Sequence, residues 1–351
     1  MKRTGTLRNG FTTGSAAAAA AVAAFRGGGE TAEIFLPSGE TLTIPIAAAG
    51  KGWAEVVKDG GDDPDVTTGA TIRVRVTPFD GGTSGGADHE ETSGDVHLTI
   101  RGGKGVGTAT RPGLAIMPGK SAINPTPRRM IAENLRRAGC RGRFLVEISV
   151  PEGEEIAQRT MNPTLGIQGG ISILGNSGIV RPYSNAAYAA TLVLQLRSFA
   201  AEHGKCPAFV TGSRTAAAVA RDFPEIPENA VLRIGDFIHV AVTAAKRLRF
   251  PSLVIGCMPG KLFKYACGEK NTHAARAKLA PAKLREWIAF PPEVPLEEFD
   301  TMGELEHALP PEQYRTVLAA VYGRALAVLQ EWGGSTRILL ALYDNSGGRI
   351  L

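Results

Sequence analysis

The longest apolar stretch near the start of the chain, residues 15–25, is almost all alanine. Thr12, Thr13, Gly14 and Ser15 lead into it, and Gly27, Gly28 and Gly29 close it. Hydroxyl residues ahead of an apolar run mark a helix start, and glycine marks its end. Alanine adds little entropy cost and lets neighbours pack closely, so residues 15–25 predict a buried helix. Apolar or alternating runs follow at residues 32–36, 41–46, 54–58, 71–77 and 96–101. They read as strands of a sheet with one wet face. Residues 80–95 are rich in Gly, Asp, Glu and Ser and predict a surface loop. Residues 125–138 predict a helix with an early proline, and residues 144–150 a further strand.

The pattern pivots on residues 162–184, NPTLGIQGGISILGNSGIVRPYS. Two apolar runs, 171–174 and 179–180, are punctuated by Gly166, Gly169, Gly170, Gly175 and Gly178. An Ala-rich apolar stretch follows over residues 185–203. Strand, glycine turn and helix in this order set backbone N–H groups beside a ligand, and the glycines allow close approach. Beyond it, strands at 208–211, 231–234, 253–256 and 336–343 alternate with helices at 215–221, 237–247, 261–266 and 272–279. A short helix within 281–292 and amphipathic helices at 296–309 and 312–332 complete the pattern. This rhythm predicts a mostly parallel sheet with helices on its faces. The expected fold is an N-terminal mixed-sheet α+β domain over residues 1–160. A Rossmann-like three-layer α/β domain follows over residues 161–351 and is expected to bind the cofactor.

Charge changes this picture little. Lys and Arg number 39 against 34 Asp and Glu, a net +5 with no concentrated basic tract. That disfavours nucleic acid and suits a polyanionic small substrate. The four cysteines, at 140, 206, 257 and 267, have no paired spacing. They predict a reducing, cytoplasmic compartment and no metal site. No apolar run reaches the length of a membrane span. The basic start and alanine run resemble a signal peptide only superficially, because a helix-cap sequence separates them.

Several segments carry candidate chemistry. KDGGDDPDVT, residues 58–67, sets Asp59, Asp62, Asp63 and Asp65 close together. It reads either as a wet acidic turn or as a source of a carboxylate that orients or deprotonates a substrate. Its spacing does not match a calcium loop, and His89 and His97 lack a third donor. GGKGVG, residues 102–107, suggests an anion cradle but lacks the GK[ST] ending of a phosphate loop. Lys104, Arg111, Lys120, Arg128 and Arg129 follow, suited to carboxylates through charge-assisted bonds. Arg181 leaves the second glycine turn. Lys261 lies just after a strand end, on the side where parallel sheets bind ligands. Asn271, Thr272 and His273 form a polar triplet at a predicted helix start. Cys257 and Cys267 read as core residues, without a base partner.

Taken together, LRNGFTTGSAAAAAA, KDGGDDPDVTTG, GGKGVGTATRPGL, PGKSAINPTPRRMI, the 162–184 segment and VIGCMPGKLFKYACGEKNTHAAR resemble the CbiD family in order, over roughly residues 7–278. That family comprises the cobalt-precorrin-5B C1-methyltransferases of anaerobic cobalamin biosynthesis. Two positions depart from its pattern. Ala16 stands where relatives carry Cys, and Cys257, Met258 and Pro259 stand where a loop histidine is common; His273 is retained. The resemblance implies methyl transfer from S-adenosyl-methionine to C1 of a ring-contracted cobalt corrinoid, cobalt-precorrin-5B, giving cobalt-precorrin-6A. Cobalt would arrive with the substrate. His273, then Asp62 and Asp59, are the candidate catalytic bases. Gly169, Gly170, Gly175, Asn176 and Gly178, with Gly105 as the rival position, are the expected cofactor contacts. Lys104, Arg111, Arg128, Arg129, Arg181 and Lys261 are the expected partners of the substrate's acetate and propionate arms. A homodimer is left open. The competing classes are a non-catalytic corrinoid-binding protein and a phosphate-loop small-molecule kinase.

Overall fold

The computed structural model describes residues 7–79, 88–274, 281–289 and 295–351. The chain divides into two compact units, Met1–Asn185 and Ala186–Leu351.

The first unit opens with β1 (Gly10–Phe11) and α1 (Thr13–Arg26). Thr12 caps α1, its side chain accepting from Ser15 N at 3.1 Å, and Gly27 ends it in the left-handed region. Every residue from Thr13 to Ala24 is buried, as expected of a helix that is apolar all round. Strands β2 (Thr31–Phe35), β3 (Thr41–Pro45), β4 (Ala48–Gly50), β5 (Trp53–Val57) and β6 (Thr71–Pro78) follow. Next come β7 (His89–Ser93), β8 (Val96–Gly102), β9 (Gly105–Val106), β10 (Thr108–Ala109) and α2 (Pro125–Arg137). The unit closes with β11 (Gly142–Ser149), α3 (Gly153–Ala157), β12 (Ile167–Gln168), β13 (Gly170–Ile171) and β14 (Ile179–Val180).

Its main sheet runs β4-β5-β6-β11-β8-β7. The β8–β11 pair is parallel and the other pairs are antiparallel. A parallel pair needs a crossover, and α2 supplies it. Ile72, Val74 and Val76 alternate inward on β6, while Arg73 on the other face pairs with Glu55 across the strand. Two expectations change here. Residues 89–93 are a strand and not part of a loop, because they pair with β8 as a hairpin; residues 80–87 lie outside the described residues. The unit also extends to 185, beyond the expected boundary at 160. The short strands of residues 167–180 pair with β10, β9 and β1. The glycine-rich 162–184 segment therefore belongs to the first unit and does not open the parallel sheet.

The second unit contains α4 (Asn185–Ala201), β15 (Ala208–Val210), α5 (Ser213–Asp222), β16 (Val231–Arg233), α6 (Ile238–Arg247), β17 (Ser252–Cys257), α7 (Pro259–Ala266), α8 (Met302–Ala308), α9 (Pro311–Gly333) and β18 (Arg337–Leu342). Its sheet, β16-β15-β17-β18, is parallel throughout. Residues 253–257 of β17 are all buried, which requires cover on both faces. On the edge strand β18, polar groups that would template aggregation are engaged. Tyr322 donates to Leu340 O at 2.7 Å, and Ile350 N donates to Leu342 O at 2.8 Å. The single helix expected over 296–309 is broken. Thr301 is extended and starts α8 with a capping box, Glu304 N donating to Thr301 Oγ1 at 3.1 Å. A short 3₁₀ turn at Leu296–Glu298 precedes it. Of the helix expected over 272–279, residues 272–274 are not helical and 275–279 lie outside the described residues. No helix among the described residues is long and apolar enough to cross a membrane.

Candidate active site

The acidic stretch resolves into separate pairings, which is how four neighbouring carboxylates coexist. Arg8 forks onto both oxygens of Asp59, the Arg8 backbone N–H donates to Asp62 at 2.7 Å, and Tyr183 N donates to Asp63 at 2.8 Å. Asp65 accepts from Lys58 Nζ at 2.6 Å and from Thr67. The hydrogen bonds from Arg8 and Gly61 hold the Asp59 carboxyl below its usual range. A general base needs a pKa near the working pH, so Asp59 is placed as an anchor for the N-terminal segment.

The family motifs grip one another. Thr13 Oγ1 donates to Ser172 O at 3.1 Å and accepts from Leu174 N at 2.9 Å. Ser15 Oγ donates to Gly178 O at 2.7 Å. Buried Asn162 donates to Gly170 O at 2.9 Å and accepts from Ser172 Oγ at 3.1 Å. Four of the expected cofactor glycines are accounted for by this packing. A Cβ on Gly105 would lie 1.8 Å from Val150 O, and one on Gly170 2.2 Å from Gly105 O. A Cβ on Gly175 would strike Thr12 at 2.4 Å, and one on Gly178 would strike Leu36 at 2.6 Å. Gly169 and Asn176 are exposed.

A basic group gathers around buried His89 in the first unit. His89 Nε2 lies 2.7 Å from Ser121 O, so this nitrogen carries the proton. Burial, with Arg128 and Lys120 nearby, lowers its pKa. Lys120 Nζ donates to Asp88 O at 2.6 Å, and Arg101 pairs with Asp88 at 3.1 Å. The Nε groups of Arg101 and Arg128 are buried and, among the described residues, have no hydrogen-bond partner. Arg129, on the same helix turn as Arg128, is exposed, as are Lys104 and Arg181. Arg111 lies against Gly166, where a Cβ would meet its Cδ at 2.4 Å. The sequence reading missed Arg101; its place at the end of an alternating strand was the available signal.

In the second unit a polar network lies beyond the carboxyl ends of β16 and β17. Asp236 Oδ1 accepts from Lys261 Nζ and, at 2.9 Å, from Thr272 Oγ1. Lys264 Nζ donates to Thr272 O at 2.9 Å. Burial alone would raise the Asp236 carboxyl, but the bonds from Lys261 and Thr272 outweigh it and lower its pKa. Lys261, expected on the substrate, is thus committed to Asp236. His273 follows the fully buried Thr272, is itself exposed, and has its N–H held by Asn271 at 3.0 Å. It lies in the second unit, whereas Asp59 and Asp62 lie in the first. Asp236 is the principal residue that sequence reasoning passed over. Cys257 is fully buried with its thiol pKa pushed up, and burial raises Cys140 to about 11. Neither is an activated nucleophile.

A mixed α/β chain with a basic group in one unit and a carboxylate network at the carboxyl edge of a parallel sheet in the other has the makings of an enzyme for a polyanionic substrate. The chain belongs to the CbiD family, whose model matches residues 1–182. A relative from Polaromonas naphthalenivorans (strain CJ2), named cobalt-precorrin-5B C(1)-methyltransferase, is 42% identical over 80% of this chain and 78% of its own. One of the same name from Nitratidesulfovibrio vulgaris is 37% identical over 98% of this chain and 92% of its own. The crystal structure of the cobalamin biosynthesis protein cbiD from Archaeoglobus fulgidus is 30% identical, covers 77% of this chain and 83% of that one, and superposes with a TM-score of 0.41.

Proposed function

We infer that this chain is a cobalt-precorrin-5B C1-methyltransferase of cobalamin biosynthesis, with S-adenosyl-methionine as methyl donor. The observation that carries the reading is the match at 42% identity over 80% of the chain to a relative of that name. The parallel sheet of the second unit, in the order β16-β15-β17-β18 with strands joined through helices, supports a Rossmann-like cofactor domain. Its network of Asp236, Lys261 and Thr272 and its orphaned buried Tyr265 hydroxyl suit a ligand rich in hydroxyls and amino groups.

The donor, when bound, supplies an electrophilic methyl on a sulfonium. The protein's part is to align that methyl with C1 and to exclude water. Arg101, Lys120, Arg128 and Arg129 hold the corrinoid's carboxylate arms through charge-assisted bonds. His273 takes the proton released as the macrocycle's conjugation is restored. Its neighbour Thr272, tied to Asp236 and both lysines, fixes the segment that carries it.

The test is an oxygen-free reaction with cobalt-precorrin-5B and methyl-labelled S-adenosyl-methionine, followed by mass spectrometry. One labelled methyl at C1 is expected; corrinoid binding without transfer would leave a carrier. His273→Ala is expected to lower kcat about 100-fold, with a loss that shrinks as pH rises and hydroxide replaces the missing base. A flat pH profile with unchanged kcat removes His273 from the reaction. Arg128→Gln is expected to raise KM for the corrinoid about 10-fold, with kcat little changed. A fall in kcat at constant KM would assign Arg128 to the transition state instead.

A further inference from the structure

The strands of the second unit contain a topological switch. From β15 the chain passes to β16 on one side, and β17 then lies on the other side of β15. Ligands of open parallel sheets bind in the crevice outside the carboxyl ends at such a point. Here that crevice is bordered by Thr211 and Gly212 after β15, and by Met258, Pro259 and Gly260 after β17.

Gly212 is the N-cap of α5, a position glycine shares with Ser, Thr, Asn and Asp, so a short side chain there is not excluded. Its φ of −170° is extended backbone that any residue adopts, and a Cβ there would meet nothing within 4 Å. Gly260, in the first turn of α7, also faces open space. In the first unit Gly105, Gly170, Gly175 and Gly178 answer to packing; these two do not. Both leave the backbone at this edge of the sheet open to close approach by a ligand.

Asp236 stands just past β16, 24 residues beyond Gly212, near the spacing of about 20 at which an acidic residue meets a ribose in dinucleotide folds. Both of its side-chain bonds fall on Oδ1, and among the described residues Oδ2 accepts none. The side chain is 25% exposed and fixed in place. Phe237, the next residue, stacks at 5.2 Å on Tyr188, which is 43% exposed although its hydroxyl is pinned to Arg233 O at 2.8 Å. That is an aromatic face held rigid beside a carboxylate. On α7 the fully buried Tyr265 hydroxyl has no partner among the described residues, and its surroundings include Asp236 and Cys257.

We propose that this crevice binds the adenosyl group of the methyl donor. Asp236 Oδ2 accepts the ribose diol, Gly212 and Gly260 let the nucleoside approach the backbone, and Tyr188 flanks the base. The inference rests on the methyltransferase reading but assigns the cofactor to residues 188, 212, 236 and 260 and not to the glycine turns of residues 102–107 and 169–178.

The test is isothermal titration calorimetry of the full chain with S-adenosyl-homocysteine and its 2′-deoxy analogue. Wild type is expected to bind the ribonucleoside at least 10-fold more tightly than the deoxy analogue. Asp236→Asn is expected to lose at least 10-fold in affinity and to bind both ligands alike. Gly212→Asn, a helix-capping residue that fits an extended backbone in open space, is expected to keep the melting temperature and lose at least 10-fold. Equal affinity of wild type for the two ligands, or normal binding by both variants, overturns the assignment. So does absence of binding to wild type. The corrinoid methylation assay decides the methyltransferase reading separately: transfer by wild type and by both variants at normal KM for the donor would sustain that reading while removing this site.

Discussion

Asp65→Ala is expected to destabilise the first unit by about 3–5 kcal/mol, the range for removing one partner of a buried ion pair. Lys58 has a side chain only 1% exposed, and its ammonium donates to Asp65 at 2.6 Å. Without Asp65 that charge is stranded where water cannot reach it. Replacing both residues by apolar ones of similar volume is expected to restore most of the loss, because the pair itself gains little over apolar packing. The acid limb carries a second signature. Burial would raise the Asp65 carboxyl, but the bonds from Lys58 and Thr67 outweigh it, so its folded pKa lies below the ordinary 3.8. A carboxyl depressed in the folded state contributes stability that is present above 3.8 and is lost as pH falls through the folded value. Urea unfolding of the wild type should therefore weaken below about pH 4, and that part of the weakening should be absent in Asp65→Ala. Two units make a single two-state fit unsafe, so the shift must be read on the transition assigned to the first unit. A loss below 1 kcal/mol would mean that Lys58 finds another partner or reaches solvent.

The same pair illustrates what the sequence could reveal. Four carboxylates in KDGGDDPD demanded compensation, and that much was legible. The partners of Asp59, Asp62 and Asp63 were not, since Arg8 and Tyr183 lie far away along the chain. Local signals served well: the hydroxyl residues at 12–15, the alanine run and Gly27 predict α1 to within two residues at its start and one at its end. The alternation of Ile72, Val74 and Val76 likewise predicts β6 and its buried face. Pairing between distant strands was illegible, because nothing local tells β11 to enter between β6 and β8, or β14 to return to β1. The 162–184 segment misled for that reason. Its strand-like runs and glycines match the opening of a dinucleotide fold, but its glycines fit the backbone of β9 and α1's hydroxyls. The real switch in the parallel sheet offers two separated glycines, Gly212 and Gly260, and a lone aspartate, Asp236, none of which forms a motif. Lys261 was legible from its place after a strand end and His273 from the polar triplet at a helix start; that Lys261 serves Asp236 follows only from the structure.

Gly105→Ala is expected to cost more than about 4 kcal/mol and to leave the first unit unfolded at 37 °C, a penalty outside the ordinary range for single substitutions. Two causes add. Gly105 has φ of +73°, where a side chain costs about 1–2 kcal/mol. Its Cβ would also lie 1.8 Å from Val150 O, which is backbone and cannot rotate away. Yielding at Val150 would disturb Gly153, whose own Cβ position lies 2.1 Å from Gly105 O, and the β9–β13 pair that joins residues 105–106 to 170–171. Gly169→Ala provides the contrast. Its φ is +78°, but nothing lies within 4 Å of its Cβ position, so only the backbone term of about 1–2 kcal/mol applies. Circular dichroism melts of the two variants separate the readings of the glycine-rich motifs. Collapse of Gly105→Ala with a modest shift for Gly169→Ala means that GGKGVG exists to bring three main chains together, and that its glycines are structural before any ligand arrives. A well-folded Gly105→Ala that no longer binds S-adenosyl-homocysteine would instead return the cofactor to residues 102–107 and remove it from Asp236.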